Sequence, residues 1–283
     1  MLDPAISWLV ANSASGSNDA TALSELIERL REAGHAPGRV VDVANEDLPD
    51  RVALEQGGVG TLAVFTGDGT LSALLAPLED WDGQVLVLPG GTTNLLARML
   101  HEPCETAAIV DAFAARQARI VRRPCVRWPG HTALCEVLAG PGAKWSDVRE
   151  GLREGDLGMV ASTAVDAVKH SASGAMVAIT SPALGHPEGY AGVRIVPGNG
   201  GLDVSGYRSD SFGDYFKQGL ALLQRDFREG PHDPLGAHPV LECRSLDSVP
   251  IELMIDGERA QGGPEIRFSL ATLALDLLAT GHG

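Results

Sequence analysis

Up to about residue 120 the chain alternates short, near-continuous apolar runs with stretches of helical spacing, and this alternation limits what it can fold into. Ile6 to Val10, RVVDVA (39–44), TLAVFT (61–66), QVLVLP (84–89) and ARIVRR (118–123) read as strands. Between them Leu23, Leu26, Ile27 and Leu30 recur at helical spacing, with Ser17, Asn18 or Asp19 as candidate N-caps. DLPDRVALEQ (47–56), LSALLAPL (71–78), NLLARMLH and ETAAIVDAFAAR (105–116) continue the helical series. Strands apolar along their whole length must be covered on both faces, so the pattern predicts a parallel sheet between helices, a three-layer α/β domain over residues 1–122.

From Pro124 onward the pattern changes to short strands separated by Gly- and Pro-rich turns, as in PGHTALCEVLAGPGAK and AGVRIVPGNGGLDV. This predicts a β-rich, sandwich-like second domain over residues 123–283, with its last residues packing back on the first. One stretch, SFGDYFKQGLALLQRDF (211–227), is helical, and Phe212, Tyr215, Phe216, Leu220, Leu223 and Phe227 form a core-type stripe on it.

A chain of 283 residues suffices for two such domains with full cores. With 37 acids against 22 bases the formal net charge is −15, which repels nucleic acid and anionic lipid in general. The basic run Arg116, Arg119, Arg122, Arg123, Arg127 reads as a solvated stretch near the domain join. Cys104, Cys125, Cys135 and Cys243 show neither C-x-x-C pairing nor zinc-ligand histidines, as expected for reduced thiols in a cytoplasmic protein. MLDPAISWLVANSASG has an early acid and no basic region, so it does not read as a signal peptide. No apolar run approaches the roughly 18 residues of a membrane span.

Chemistry is concentrated where strands end. NSASG follows the first strand, TGDGT the third and PGGTTN the fourth. In an open parallel sheet ligands bind beyond the carboxyl ends of the strands, so the three loops can line one crevice. Glycines and small residues leave backbone N–H groups accessible, and Ser13, Ser15, Thr70, Thr92 and Thr93 add hydroxyls. PGGTTN also opens a helix, whose first amides favour an anion. Such loops cradle phosphates without many lysines. Alone, each reads as a turn or cap as readily as a site; their joint occurrence at three successive crevice positions tips the reading to phosphate.

NSASG, TGDGT and PGGTTNLLAR, in this order and spacing, resemble the diacylglycerol kinase catalytic-domain family, which includes bacterial soluble lipid kinases and sphingosine kinases and is distantly related to NAD kinases. MIDGERA (254–260) resembles the family's D-G-E motif in the second domain. The resemblance implies an ATP-dependent lipid kinase, with ATP in a crevice between the domains and Mg²⁺ as metal. Asn12, Ser13, Ser15 and Gly16 would line the phosphates, as would Thr66, Gly67, Asp68, Gly69 and Thr70. Gly91, Thr92, Thr93 and Asn94 would close the nucleotide pocket. Asp256 would take the proton of the lipid hydroxyl with Glu258 beside it, and Asp68 would hold Mg²⁺. The partners implied are ATP and a lipid, transient contact with the inner membrane surface and a second copy of the chain, with no nucleic acid. The Asp256-Gly257 pair also has the sequence of a two-residue hairpin turn; only in an extended strand would Asp256 and Glu258 share a face.

The family pattern is departed from in four places. Thr66 stands at the first glycine of G-G-D-G-T, and Leu95 stands where an acid often follows the asparagine. NSASGSND lacks the nearby lysine or arginine of many relatives, and Asn199 replaces the first acid of a D-G-x-L-D turn that retains Asp203. These departures leave a nucleotide- or lipid-binding member without catalysis as an alternative. An NAD kinase also uses G-D-G-T, but no N-E motif follows on a suitable helix.

Overall fold

The computed structural model describes residues 6–13, 20–141, 175–208 and 232–281. The chain divides into two compact units, one of Met1–Arg123 with Thr272–Gly283, the other of Pro124–Ala271.

The first unit begins β1 (Trp8–Ala11), α1 (Ala20–Glu32), β2 (Arg39–Asp42), α2 (Arg51–Gln56), β3 (Thr61–Thr66). It continues α3 (Asp68–Leu75), β4 (Gln84–Pro89), α4 (Leu95–Leu100), α5 (Thr106–Ala114) and β5 (Arg119–Val121). A late strand, β18 (Asp276–Ala279), completes a six-stranded sheet ordered β2-β1-β3-β4-β18-β5. β1 to β4 pair in parallel, as do β4 and β18, and only the β18–β5 pair is antiparallel. All six residues of β3 are buried, as a strand covered on both faces requires. On one face Leu9, Phe65, Leu86 and Leu88 pack with Leu26 and Leu30 of α1 and Ile109, Val110 and Phe113 of α5. α3 and α4 contact β3 and β4 and bury Leu71, Leu74, Leu75, Leu96 and Leu100. The α/β expectation holds.

Two boundaries differ from the sequence reading. α3 starts at Asp68, with Gly67 as its N-cap, so Gly69 lies inside the helix; an acid in a first helical turn is stabilised by the free amides there. The α-helix then ends at Leu75 because Pro77 tightens the next residues, Ala76–Leu78, into a 3₁₀ turn.

The second unit is built of strands. β6 (Pro124–Trp128), β7 (His131–Ala133), β9 (Val177–Ser181), β10 (Ala183–Leu184), β14 (Val240–Ser245) and β17 (Glu265–Thr272) form one sheet, ordered β10-β9-β14-β17-β6-β7. β8 (Val137–Ala139), β11 (Gly192–Gly198), β12 (Gly201–Tyr207), β13 (Asp233–His238), β15 (Glu252–Ile255) and β16 (Glu258–Gln261) form the other, ordered β13-β12-β11-β8-β15-β16. Both sheets supply one core, in which Val126, Ile179, Leu241 and Phe268 of the first meet Val137, Val193, Ile195 and Leu253 of the second. That shared core makes the unit a sandwich. The helical stripe assigned to residues 211–227 lies outside the described residues.

Candidate functional site

β1 is flanked by β2 on one side and β3 on the other, so the chain leaves β1 in one direction and returns to its opposite edge. That is a topological switch point, where the loops at the carboxyl ends diverge and open a crevice. The loops after β1 and β3 meet there, and the loop after β4 is the next along the edge.

Hydrogen bonds run along this edge across all four strands. Asp42, the last residue of β2, accepts from the Ser13 hydroxyl at 2.6 Å and the Ser13 amide at 3.1 Å. It also accepts from the Ala44 amide at 3.2 Å and Asn45 Nδ2 at 3.1 Å. The Ser13 hydroxyl bond, above all, holds the Asp42 carboxyl below the usual carboxylate range, against the opposing effect of burial. Asn12 Nδ2 donates to Thr70 Oγ1 at 3.3 Å, tying the β1 loop to α3. The Leu95 amide donates to Asp68 Oδ1 at 2.7 Å, tying α3 to α4. Asn94, left-handed at φ 53°, closes the β4 loop on itself, accepting from the Gly91 amide and donating to the Gly91 carbonyl, both at 2.7 Å.

The glycines divide by role. A Cβ on Gly90 would stand 2.6 Å from the Phe65 carbonyl carbon, and one on Gly91 2.7 Å from the Gly67 Cα. These two let the β3 and β4 loops touch backbone to backbone. A Cβ on Gly67 would meet only the Gly91 Cα, at 3.9 Å, so the space over Gly67 is open. Thr66 is buried at 3% exposure and its hydroxyl donates to the Gly67 carbonyl at 3.2 Å.

Two expectations change, and one residue is added. The first amide of α4, that of Leu95, is used by Asp68, and the Gly91 amide in the loop before the helix is used by Asn94. The Ser13 hydroxyl gives its proton to Asp42, so it presents lone pairs to a ligand instead of a donor. Asp42 was not foreseen, although an acid closing the strand beside a small-residue loop is a known ligand position in doubly wound folds. Ser15 and Gly16 lie outside the described residues.

In the second unit Asp256 and Gly257 form a two-residue turn at φ 50° and 96°, between paired Ile255 and Glu258. Both positive angles fit a type I′ hairpin, so the extended alternative is excluded and Asp256 and Glu258 do not share a strand face. Asp256 is 1% exposed. Its carboxylate accepts from the amides of Leu134 at 2.8 Å, Cys135 at 2.8 Å and Glu136 at 3.0 Å. Such partners are what a buried carboxylate requires. Glu136, itself buried, pairs with Arg194 at 2.9 Å, and Glu258 is exposed. Residues 198–201 also form a hairpin, and Asp203 lies on its second strand, so the D-G-x-L-D-like segment is a strand turn here. A cavity of ≈ 540 Å³ in this unit is lined by Trp128, His131 and the Glu242–Arg267 ion pair among others.

Among the described residues no group of three or more His, Cys, Asp or Glu side chains could hold a metal ion. Asp68 fits magnesium only in the mode in which one carboxylate is joined by substrate phosphates and water. Among the described residues no helix is long and apolar enough to cross a membrane.

A largely parallel open sheet with its loops joined at the switch point places the first unit in the doubly wound α/β class. Residues 7–122 match the family model for the diacylglycerol kinase catalytic domain. The match takes in less than half of the chain and makes this segment similar to that family. No curated protein matches the chain. The crystal structure of a diacylglycerol kinase from Bacillus anthracis strain Sterne has the same fold at TM-score 0.63 and 17% identity, covering 99% of this chain and 98% of that one. Two further structures from that organism, named provisionally as diacylglycerol kinases, align at TM-score 0.58. One is 18% identical over 96% of each chain, the other 17% identical over 95% of each.

Proposed function

We propose that the chain is an ATP-dependent kinase that phosphorylates a hydroxyl of diacylglycerol or a related lipid. The observation that carries this reading is the line of hydrogen-bonded loops across β2, β1, β3 and β4, with open backbone at Gly67 and the Asp68 carboxylate beside it. In that reading the phosphates lie over Gly67, against Asn12 and Thr70 and beside Thr92, Thr93 and Asn94. Magnesium, held by Asp68 with nucleotide oxygens and water, would supply charge neutralisation. The acceptor hydroxyl attacks the γ-phosphorus, the bond to the β-phosphate oxygen breaks, and ADP leaves. Phosphoryl transfer depends mainly on such positioning and charge stabilisation.

Asp256, with Glu258 on the strand just after the turn, is the proposed acceptor of the hydroxyl proton. To act so its carboxylate must release one of the three amides it holds. The test is labelled phosphate transfer from Mg²⁺-ATP to a lipid panel, comparing wild type with Asp256→Asn, together with a thermal melt. Loss of transfer by about 100-fold is expected, since general-base assistance contributes at least that. The variant should also melt earlier, because an amide nitrogen then faces backbone N–H groups. Equal transfer in the two proteins would eliminate the base.

A second reading is a member of the same fold that binds nucleotide or lipid without turnover. It is favoured by Leu95, whose side chain brings no carboxylate to the Asp68 neighbourhood where relatives often have one. ATP binding with no phospholipid formed would support it, and stoichiometric product would exclude it.

A further inference from the structure

We infer that Arg98 is the phosphate-recognising cation of the first unit, aimed by the loop it serves. The inference rests on the nucleotide-binding reading above and adds a residue to it.

Three observations converge. First, the guanidinium is oriented. Arg98 Nε donates to the Thr93 carbonyl at 2.9 Å, so the side chain runs back along α4 to the carboxyl edge of the sheet. Long side chains on helices lean toward the N-terminus, which is the direction this bond needs. Nε is consumed, and Arg98 is an exposed residue with two terminal nitrogens beyond that bond.

Second, the charge is uncommitted. Arg29, Arg39, Arg51 and Arg122 of the same unit each hold a carboxylate at 2.6–2.7 Å. Arg98 holds none among the described residues, in a chain with 37 acids. Cys104 lies within electrostatic reach of both Arg98 and Asp68, which puts the two charges in one neighbourhood.

Third, the edge needs a cation. Asp42 and Asp68 place two carboxylates along it, and the Gly91 and Leu95 amides are already bonded. A polyphosphate brought there meets negative charge and fewer free amides than the loops suggest. A planar guanidinium, held at one nitrogen and offering two others, matches phosphate oxygens in pairs.

The ligand chemistry is a phosphate oxyanion, which a nucleotide or a phosphorylated lipid can supply. Calorimetry with ATP, inorganic tripolyphosphate and adenosine, all with Mg²⁺, would be run on wild type, Arg98→Ala and Arg98→Lys. Flotation on vesicles with and without a phosphomonoester lipid forms the second arm. Arg98→Ala is expected to bind ATP and tripolyphosphate roughly 10- to 100-fold more weakly, the range for a charged hydrogen bond. Adenosine affinity should be unchanged, and Arg98→Lys should recover part of the loss. A defect confined to phosphomonoester vesicles would place the contact on the lipid, as the same anion site used by the other source. Unchanged affinity for every phosphate probe, or an equal loss for adenosine, would overturn the inference. A wild type that binds no nucleotide would instead sink the kinase reading, and a lipid-only defect in Arg98→Ala would then be all that kept Arg98 as a phosphate residue.

Discussion

The Oδ1 atom of Asp68 is occupied by the Leu95 amide at 2.7 Å, so removing this side chain takes away a bond between α3 and α4 as well as a charge. Two substitutions separate those effects. Asp68→Asn keeps an oxygen for the Leu95 amide, and should leave stability within about 0.5 kcal/mol of wild type. Asp68→Ala leaves that amide without its partner and should cost about 1–2 kcal/mol, as for loss of a helix cap. Both should lower Mg²⁺-ATP binding, because neither retains the carboxylate. Chemical denaturation and calorimetry together check this. If Asn binds Mg²⁺-ATP as tightly as wild type, Asp68 is a scaffold residue only.

The loops give the corresponding contrast between elements. Gly91→Ala pushes a Cβ to 2.7 Å from the Gly67 Cα, and backbone there cannot yield without parting the β3 and β4 loops. A destabilisation of about 1–3 kcal/mol is expected from such overpacking. Gly67→Ala meets open space at φ −73°, so its fold should be unaffected, while the methyl group would stand where phosphate is proposed to lie. Melting curves should separate the two alanines, and ATP titration should find Gly67→Ala the weaker binder of the folded pair. A Gly67→Ala protein with full affinity would move the phosphates elsewhere. These roles could not be read from PGGTTN and TGDGT alone. β3 and β4 were legible to the residue because each is a continuous apolar run with polar or glycine-rich neighbours. The loops at their ends were legible as loops. Which glycine faces its neighbour and which faces a ligand depends on the register Thr66↔Pro89, a long-range pairing that spacing does not encode. The Ser13–Asp42 bond spans 29 positions and was invisible for the same reason. Asp256-Gly257 was legible as a turn, but the three amides that bury its carboxylate come from 120 or more residues earlier.

One imidazole sits at the long-range closure of the first unit. β18 enters the sheet between β4 and β5, and the chain beyond it is bonded to the end of α4 through Thr280 and Gly281 amides on the Leu100 carbonyl at 3.1 and 3.0 Å. His101, at 2% exposure, sits on that junction. Its Nε2 lies 2.9 Å from the Val87 carbonyl, which can only accept, so Nε2 carries the proton. Nδ1, 2.9 Å from Thr280 Oγ1, is then the acceptor for that hydroxyl. Burial pulls the His101 pKa down from 6.5 to about 4, against the small opposing effect of the Val87 carbonyl. The unfolded chain therefore binds a proton near pH 6.5 that the folded chain refuses until about pH 4. Stability should be fully present above pH 6.5, fall as pH drops through this window, and level off below pH 4. The total is about 3 kcal/mol, since one pKa unit corresponds to about 1.4 kcal/mol. His101→Gln keeps a donor and an acceptor but cannot titrate, so the variant should lose most of one proton's worth of slope between pH 4 and 6.5 relative to wild type. Carboxylates that titrate in the same range contribute equally to both proteins and cancel in the difference. Denaturation midpoints at several pH values, with NMR titration of the His101 ring as a direct check, would measure it. Parallel pH profiles for the two proteins would show that the junction tolerates a charged imidazole, and that the closing strand is held by backbone pairing alone.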